Sequence, residues 1–282
     1  MRGRRRRTRP AVRVAQYLLL AVIGLVGVAP IAYLLVLSSK RRIDILDVPP
    51  RLNVEWEVIR SNYSNVLFER NFVDFVINSI LVTGISVSIA LVLGVPAAYA
   101  FSRYRFRGHD RWASTILSFR FMPPIAVAIP ILLMVRSVGL TDTKAGLIIP
   151  YVAFSLPFVI WIMIGFFDEV PRDIDAAAAL DGCGPWGTLL KILLPLVRPG
   201  IVVAAIFSSI FVWNEFLVGL YLINSEDQKT IPIAAAGLIS AQRPIDWDVA
   251  ATVGVVTLVP LLIASVFIQK YIVRGITAGA VK

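Results

Sequence analysis

A chain of 282 residues that is 57% hydrophobic and only 16% charged, with a mean hydropathy of +0.78, is not a soluble globular domain, because so much apolar surface would aggregate in water. The formal net charge of +10 would point to nucleic acid in a soluble protein. Here the densest basic block, Arg2, Arg4 to Arg7 and Arg9, directly precedes an apolar run, so it reads as an anchor to anionic lipid that sets topology, and no nucleic-acid partner is expected. One cysteine, Cys183, excludes an intramolecular disulfide, and one histidine, His109, leaves no ligand set for a zinc site.

Long apolar stretches alternate with short polar ones, as a hydrocarbon solvent demands. Stretches of about 18 residues or more predict an all-α integral membrane protein with six transmembrane helices, at 14–37, 75–101, 112–135, 145–167, 200–223 and 249–271. Residues 1–13 form a basic tail. The run 14–37 is longer than a signal core and lacks a small-x-small cleavage site before Ser38, so it is expected to be a retained span. Residues 38–74 mix Pro49, Pro50, Trp56 and Tyr63 with charges of both signs, which suits a short external excursion. Residues 75–272 hold the remaining five spans, including a long interior segment at 168–199, and 273–282 form a terminal tail. With the N-terminus inside, the interior segments carry about 17 basic residues against about 10 outside, which places both termini in the cytoplasm.

Polar side chains inside spans are costly in hydrocarbon and are therefore candidates for function. Asn78, Arg120, Trp213, Asn214 and Glu215 stand out as pathway-lining candidates. Arg120 either lines a pathway, pairs with an acid on a partner, or holds carbonyls freed by Pro123 and Pro124. Trp213, Asn214 and Glu215 offer a stacking face and hydrogen bonds, and interface anchoring is the alternative. No intramembrane nucleophile with a base is apparent, since Ser79, Ser86, Ser155 and Ser208 have no histidine or lysine in the spans to activate them, so no enzyme activity is expected.

The segment 168–199 has the grammar of two short helices. Pro171 opens the first, Asp173 and Asp175 occupy its positive end, Ala176 to Ala179 propagate it, and Gly182 takes a left-handed stop. Pro185 suits the first turn of the second, with Leu189, Leu190 and Leu193 as an apolar stripe before Pro195. A small alanine face permits close approach, so the hairpin either fits a groove on another protein or lies on the membrane surface.

This loop resembles the signature loop of bacterial ABC-importer permeases, in which a Glu-Ala-Ala triplet is followed by glycine four residues after the last alanine, with a later isoleucine-x-leucine-proline element. The matching residues are Ala177, Ala178, Asp181 and Gly182, and then Ile192 through Leu194 and Pro195. Ala176 occupies the family's glutamate position, with Asp175 just before it, a shift that rotates a helical side chain by about 100°. The tail with Gly275, Thr277 and Gly279, together with Trp213 to Phe216 and Asn78 with Ser79, narrows the resemblance to the carbohydrate class of maltose type.

The resemblance implies a type I importer fold with a cytoplasmic helix-turn-helix coupling loop, in the bacterial plasma (inner) membrane. It implies that the chain forms half of a sugar pathway with a second homologous permease subunit, two ATPase subunits and an extracytoplasmic solute-binding protein. The loop and the tail would contact the ATPases. No cofactor is expected on this chain, because Gly182 to Gly187 is followed by Thr188 and Leu189 where a phosphate-binding loop needs lysine and a hydroxyl. ATP and Mg would sit on the partner ATPases. A permease for a non-sugar solute, an ATP-independent channel and a secondary transporter are the alternatives.

Overall fold

The computed structural model describes residues 10–45, 54–238 and 246–279, and the side chains of these except residues 10, 11, 120 and 266–279. Every element among them is helical, which is what a lipid-spanning backbone requires to satisfy its own polar groups. In chain order they are α1 (Pro10–Ser38), α2 (Arg42–Ile45), α3 (Trp56–Ser64), α4 (Phe72–Arg103), α5 (His109–Arg120), α6 (Pro124–Ser137), α7 (Lys144–Asp168), α8 (Asp173–Leu180), α9 (Pro185–Gly187), α10 (Leu194–Leu196), α11 (Arg198–Trp213), α12 (Leu217–Leu222), α13 (Ile231–Ala236) and α14 (Trp247–Gly279). A π-helical turn, Thr188–Leu193, joins α9 to α10.

Among the described residues, four helices are long and apolar enough to cross a membrane: Val12–Ser38 of α1, α4, α7, and Trp247–Ser265 of α14. Two bent helix pairs bring the number of spans to as many as six when each pair is taken as one, as expected, but the third and fifth are not continuous helices. The third is α5 and α6, bent by 95°. Pro123 is extended and Pro124 opens α6; a proline biases the residue before it away from the helical region, so the pair forces the break. The fifth stops at Trp213, and α12 begins only at Leu217. With 16 residues, α11 is about 24 Å long, short of a hydrocarbon core of about 30 Å. The preceding run Pro185–Leu196 meets α11 at 79°. At the other end of the chain, α14 continues as helical backbone to Gly279, through most of the segment expected as a separate tail.

The chain divides into two units. In the first, residues 1–70 and 238–258, the end of α1 is closed by Asn62, whose amide donates to the carbonyls of Ser38 (3.0 Å) and Lys40 (2.8 Å). These are carbonyls that a helix end leaves without partners. Leu34 of α1 lies against Gly254 of α14, where a Cβ would come within 3.0 Å of its Cδ2.

The second unit, residues 71–237 and 259–282, is built on α4, α7 and α11. Ala90, Ala98, Tyr99, Val159, Met163, Phe167 and Ala204 form one cluster, joined by Leu189 and Leu193 from the loop after α8. Helices α4 and α7 run in the same direction, with Gly94 against Val159 and the Tyr99 ring 5.7 Å from that of Phe167. Gly200 of α11 faces the Phe166 ring. Small residues here let helix backbones approach, which supplies the dispersion contacts that hold helices together in lipid. A second cluster at the other end joins Val82, Leu147, Tyr151, Val212, Val218, Leu222 and Ile233.

Candidate functional site

The segment 168–199 folds as a hairpin of short helical pieces. Asp173 and Asp175 lie in the first turn of α8, where carboxylates favour the helix dipole. The helix is closed by Cys183 N–H donating to the Ala178 carbonyl (2.9 Å) and Gly182 N–H to that of Ala179 (3.1 Å). Gly182 has φ +79°, the left-handed conformation that a helix stop of this kind uses and that glycine adopts without penalty. Gly184 is then extended, and Pro185 starts the second arm.

The hairpin has two faces. Ala178, Leu189 and Leu193 are buried, the leucines among the side chains of α4 and α7. Ala176, Ala177, Asp181, Gly182 and Pro195 are exposed, and Leu194 is half-buried. Leu180 (90% exposed), Trp186 (65%) and Leu190 (57%) project from the hairpin. The expected stripe of Leu189, Leu190 and Leu193 is therefore split, since the π-turn through Thr188–Leu193 widens the helix and turns Leu190 outward.

Polar contacts fix the hairpin's base. Asp175 Oδ2 lies 2.9 Å from Arg103 Nε at the end of α4. The same guanidinium donates to the Val170 carbonyl (2.9 Å), Arg172 donates to the Ser102 carbonyl (3.0 Å), and the Ser102 hydroxyl donates to Asp168. Neither Arg103 nor Ser102 was marked by the sequence, although an arginine closing an apolar run at a helix C-terminus is a recognisable signal.

The pathway-lining candidates do not come together as one surface. Asn78 is buried, and its amide donates to the carbonyls of Asp227 (2.8 Å) and Lys229 (2.9 Å). Next to it, the Ser79 hydroxyl accepts from Ile231 N–H at 2.9 Å. Glu215 is also buried; its Oε1 accepts from Val218 N–H (2.9 Å), and its Oε2 from Gly219 N–H (3.2 Å) and the Tyr151 hydroxyl (2.6 Å). The carboxylate is thus turned into the protein, where it caps α12 across the break. Asn214 is exposed and bonds back to the Ile210 carbonyl. Trp213 is 6% exposed and lines an apolar cavity of about 420 Å³ with Ile80, Gly84, Ile206 and Pro260. The side chain of Arg120 and those of Gly275, Thr277 and Gly279 lie outside the described residues.

One further group escaped the sequence. Asp142, with φ +61°, accepts from the backbone N–H of Asn224 (2.9 Å) and Ser225 (2.8 Å) and from the Ser225 hydroxyl. Its own N–H donates to the Leu222 carbonyl. With Asn78 and Ser79 it clasps the segment after α12 to the helix ends opposite the hairpin.

The fold as a whole has counterparts among known proteins. A solved bacterial ABC transporter involved in the import of the acidic polysaccharide alginate has a chain that matches with a TM-score of 0.79 and 23% identity, over 96% of this chain and 99% of that one, which shows the same type I permease fold. The trehalose transport system permease protein of Mycobacterium tuberculosis is 37% identical over 222 residues, covering 78% of this chain and 81% of that protein. The diacetylchitobiose uptake system permease protein of Streptomyces coelicolor is 30% identical over 262 residues, covering 93% and 86%. Residues 90–278 match the family model described as binding-protein-dependent transport system inner membrane component. Those residues include the hairpin, the broken fifth span and most of the α4/α7/α11 bundle, and the chain belongs to that family of ABC-transporter permeases.

Proposed function

We propose that this chain forms half of the translocation pathway of an ATP-driven importer for a small sugar. The observation that carries the reading is the similarity, over most of both chains, to permease proteins named for trehalose and for diacetylchitobiose, both disaccharides. In this reading a second homologous permease completes the pathway, two ATPase subunits binding ATP and Mg dock on the hairpin 168–199, and an extracytoplasmic binding protein delivers solute at the other end. The basic bias of the N-terminal tail, the α4–α5 loop and the hairpin side supports an orientation with both termini in the cytoplasm of the bacterial inner membrane.

The exposed small face of α8, with Ala176, Ala177 and Gly182, supports docking into a socket, and Leu180 and Trp186 supply apolar anchors. Closure of the ATPases on ATP favours an outward-facing cavity, and hydrolysis returns it inward, so each state is selected by differential binding at the hairpin.

The test is uptake of labelled sugars by liposomes that hold the chain together with its co-purified subunits. The expected result is uptake that requires ATP, the ATPase subunits and a binding protein loaded with a di- or oligosaccharide. Uptake by this chain without an ATPase, or stimulation only by a solute that is not a sugar, overturns the reading.

A further inference from the structure

We infer that Arg103 is a positioning residue for coupling: through its ion pair with Asp175 it makes α8 move as one body with the end of α4. The inference rests on the proposed importer function. It starts from an anomaly of the hairpin, where Ala176 stands in the glutamate position of the resembling loops and the nearby carboxylate belongs to Asp175, about 100° around the helix. That carboxylate does not join the exposed face of Ala176 and Ala177. It turns towards the bundle, only 22% exposed, and meets the Arg103 guanidinium, itself 6% exposed, at 2.9 Å.

A guanidinium withdrawn from water needs acceptors on several sides. Arg103 donates to the Val170 carbonyl at 2.9 Å and to the Ser102 hydroxyl at 3.2 Å, while Asp175 is held beside it by charge, with no hydrogen bond to Arg103 Nε or to either carboxylate oxygen among the described residues. The link is returned from the other side by Arg172, whose guanidinium donates to the Ser102 carbonyl, and by Ser102, which donates to Asp168. The last turn of α4, the end of α7 and the start of α8 are thus joined by charged groups. Removing one partner of a buried pair leaves the other uncompensated, which costs far more than removing an exposed one. Tilting α8 away from α4 would incur that cost.

The same helix carries Asn78 and Ser79 near its other end, where they hold the backbone of residues 227–231. From Asn78 to Arg103 is about 37 Å of helix. A displacement imposed on α8 is therefore delivered to a helix whose far end grips the segment after α12.

The experiment compares wild type with Arg103→Gln, Arg103→Lys, Asp175→Asn and the swap Arg103→Asp with Asp175→Arg, each co-purified with its partner subunits and reconstituted. The readouts are subunit recovery, the ratio of ATP hydrolysis with and without sugar-loaded binding protein, and sugar moved per ATP. In Arg103→Gln and Asp175→Asn the stimulation ratio is expected to fall about fivefold or more and sugar moved per ATP to fall with it, while Arg103→Lys and the swap recover part of both. Asp175→Asn, nearly isosteric, decides the matter if Arg103→Gln fails to assemble. Wild-type stimulation and sugar per ATP in Asp175→Asn overturn the inference, as does a swap that assembles yet is no better than either single variant. A wild-type chain that shows no ATP-dependent uptake defeats the importer reading instead. The pair then stands or falls on whether the thermal shifts of Arg103→Gln and Asp175→Asn in detergent add or overlap.

Discussion

The Tyr151 hydroxyl and the Glu215 carboxylate, 64 residues apart, meet at 2.6 Å inside the second unit. Where α11 ends at Trp213 and α12 has yet to begin, backbone N–H groups are left without helical partners. In hydrocarbon no water replaces them. Glu215 serves Val218 and Gly219 directly, and Tyr151 of α7 holds the carboxylate in place for them.

Removing that carboxylate is therefore expected to destabilise the chain in proportion to the donors left unserved. Tyr151→Phe loses one side-chain hydrogen bond, about 0.5–1.5 kcal/mol. Glu215→Gln puts an NH2 against a backbone N–H and loses a comparable amount. Glu215→Ala leaves all three donors unserved and is the worst. Thermal unfolding of the purified chain in detergent orders the three; Glu215→Ala equal to wild type would show that the break holds itself.

Asp142 predicts a pH dependence at the clasp opposite the hairpin. The Ser225 hydroxyl, then the Ser225 and Asn224 backbone N–H groups, hold the Asp142 carboxyl below the usual carboxylate range. Because the folded-state pKa is depressed, the stabilisation is fully present above the unfolded value of about 3.9 and is lost as pH falls through the folded value. Hydrogen exchange at Asn224 and Ser225 should thus be slower in wild type than in Asp142→Ala by a constant factor near neutral pH. That factor should shrink only below about pH 4. A change between pH 6 and 8 would assign the clasp to another group.

Two glycines test the close packing of the bundle. A Cβ on Gly94 would lie 2.6 Å from Val159 Cγ1, and one on Gly200 would lie 2.4 to 2.9 Å from three atoms of Phe166, Cβ included. At Gly94 the tightest contact is with a Val159 methyl and the Val159 Cβ lies at 3.1 Å, whereas at Gly200 the Phe166 Cβ, fixed to its backbone, lies at 2.9 Å. Gly200→Ala is expected to cost about 1–3 kcal/mol and Gly94→Ala less. Gly165→Ala, with nothing within 4 Å of its Cβ, should be neutral to slightly stabilising in the same unfolding measurement, since alanine favours a helix over glycine. Equal effects at all three would mean that these contacts do not set the stability.

Apolar run length was enough to find the helices that cross, because in lipid the backbone has no other solution. It could not find the breaks. A run such as 200–223 is equally apolar whether or not its helix stops at Trp213, and the carboxylate that caps the restart at α12 is held by a tyrosine on another span. For the same reason Glu215 was legible as a costly polar residue, while its role as a cap was not. The hairpin was legible because its signals are local: Asp173 and Asp175 at a helix start, Gly182 at the stop, Pro185 at the restart. Arg103 was not, because its partner lies 72 positions away and nothing in one sequence joins them.

Gly182 offers a way to separate the shape of the hairpin from its surface. Its φ of +79° is one that L side chains resist, yet a Cβ there would meet nothing within 4 Å. Any cost of substitution within the chain is therefore backbone strain, about 1–2 kcal/mol for alanine and less for asparagine, which tolerates the left-handed region better. A larger β-branched residue is worse again. If the turn sets how α8 is presented, ATP hydrolysis stimulated by loaded binding protein should fall in the order glycine, asparagine, alanine, valine. Asparagine is bulkier than alanine, so the order distinguishes the two causes. Alanine retaining more stimulation than asparagine would mean that side-chain volume at the docking surface, and not the left-handed stop, is what Gly182 supplies.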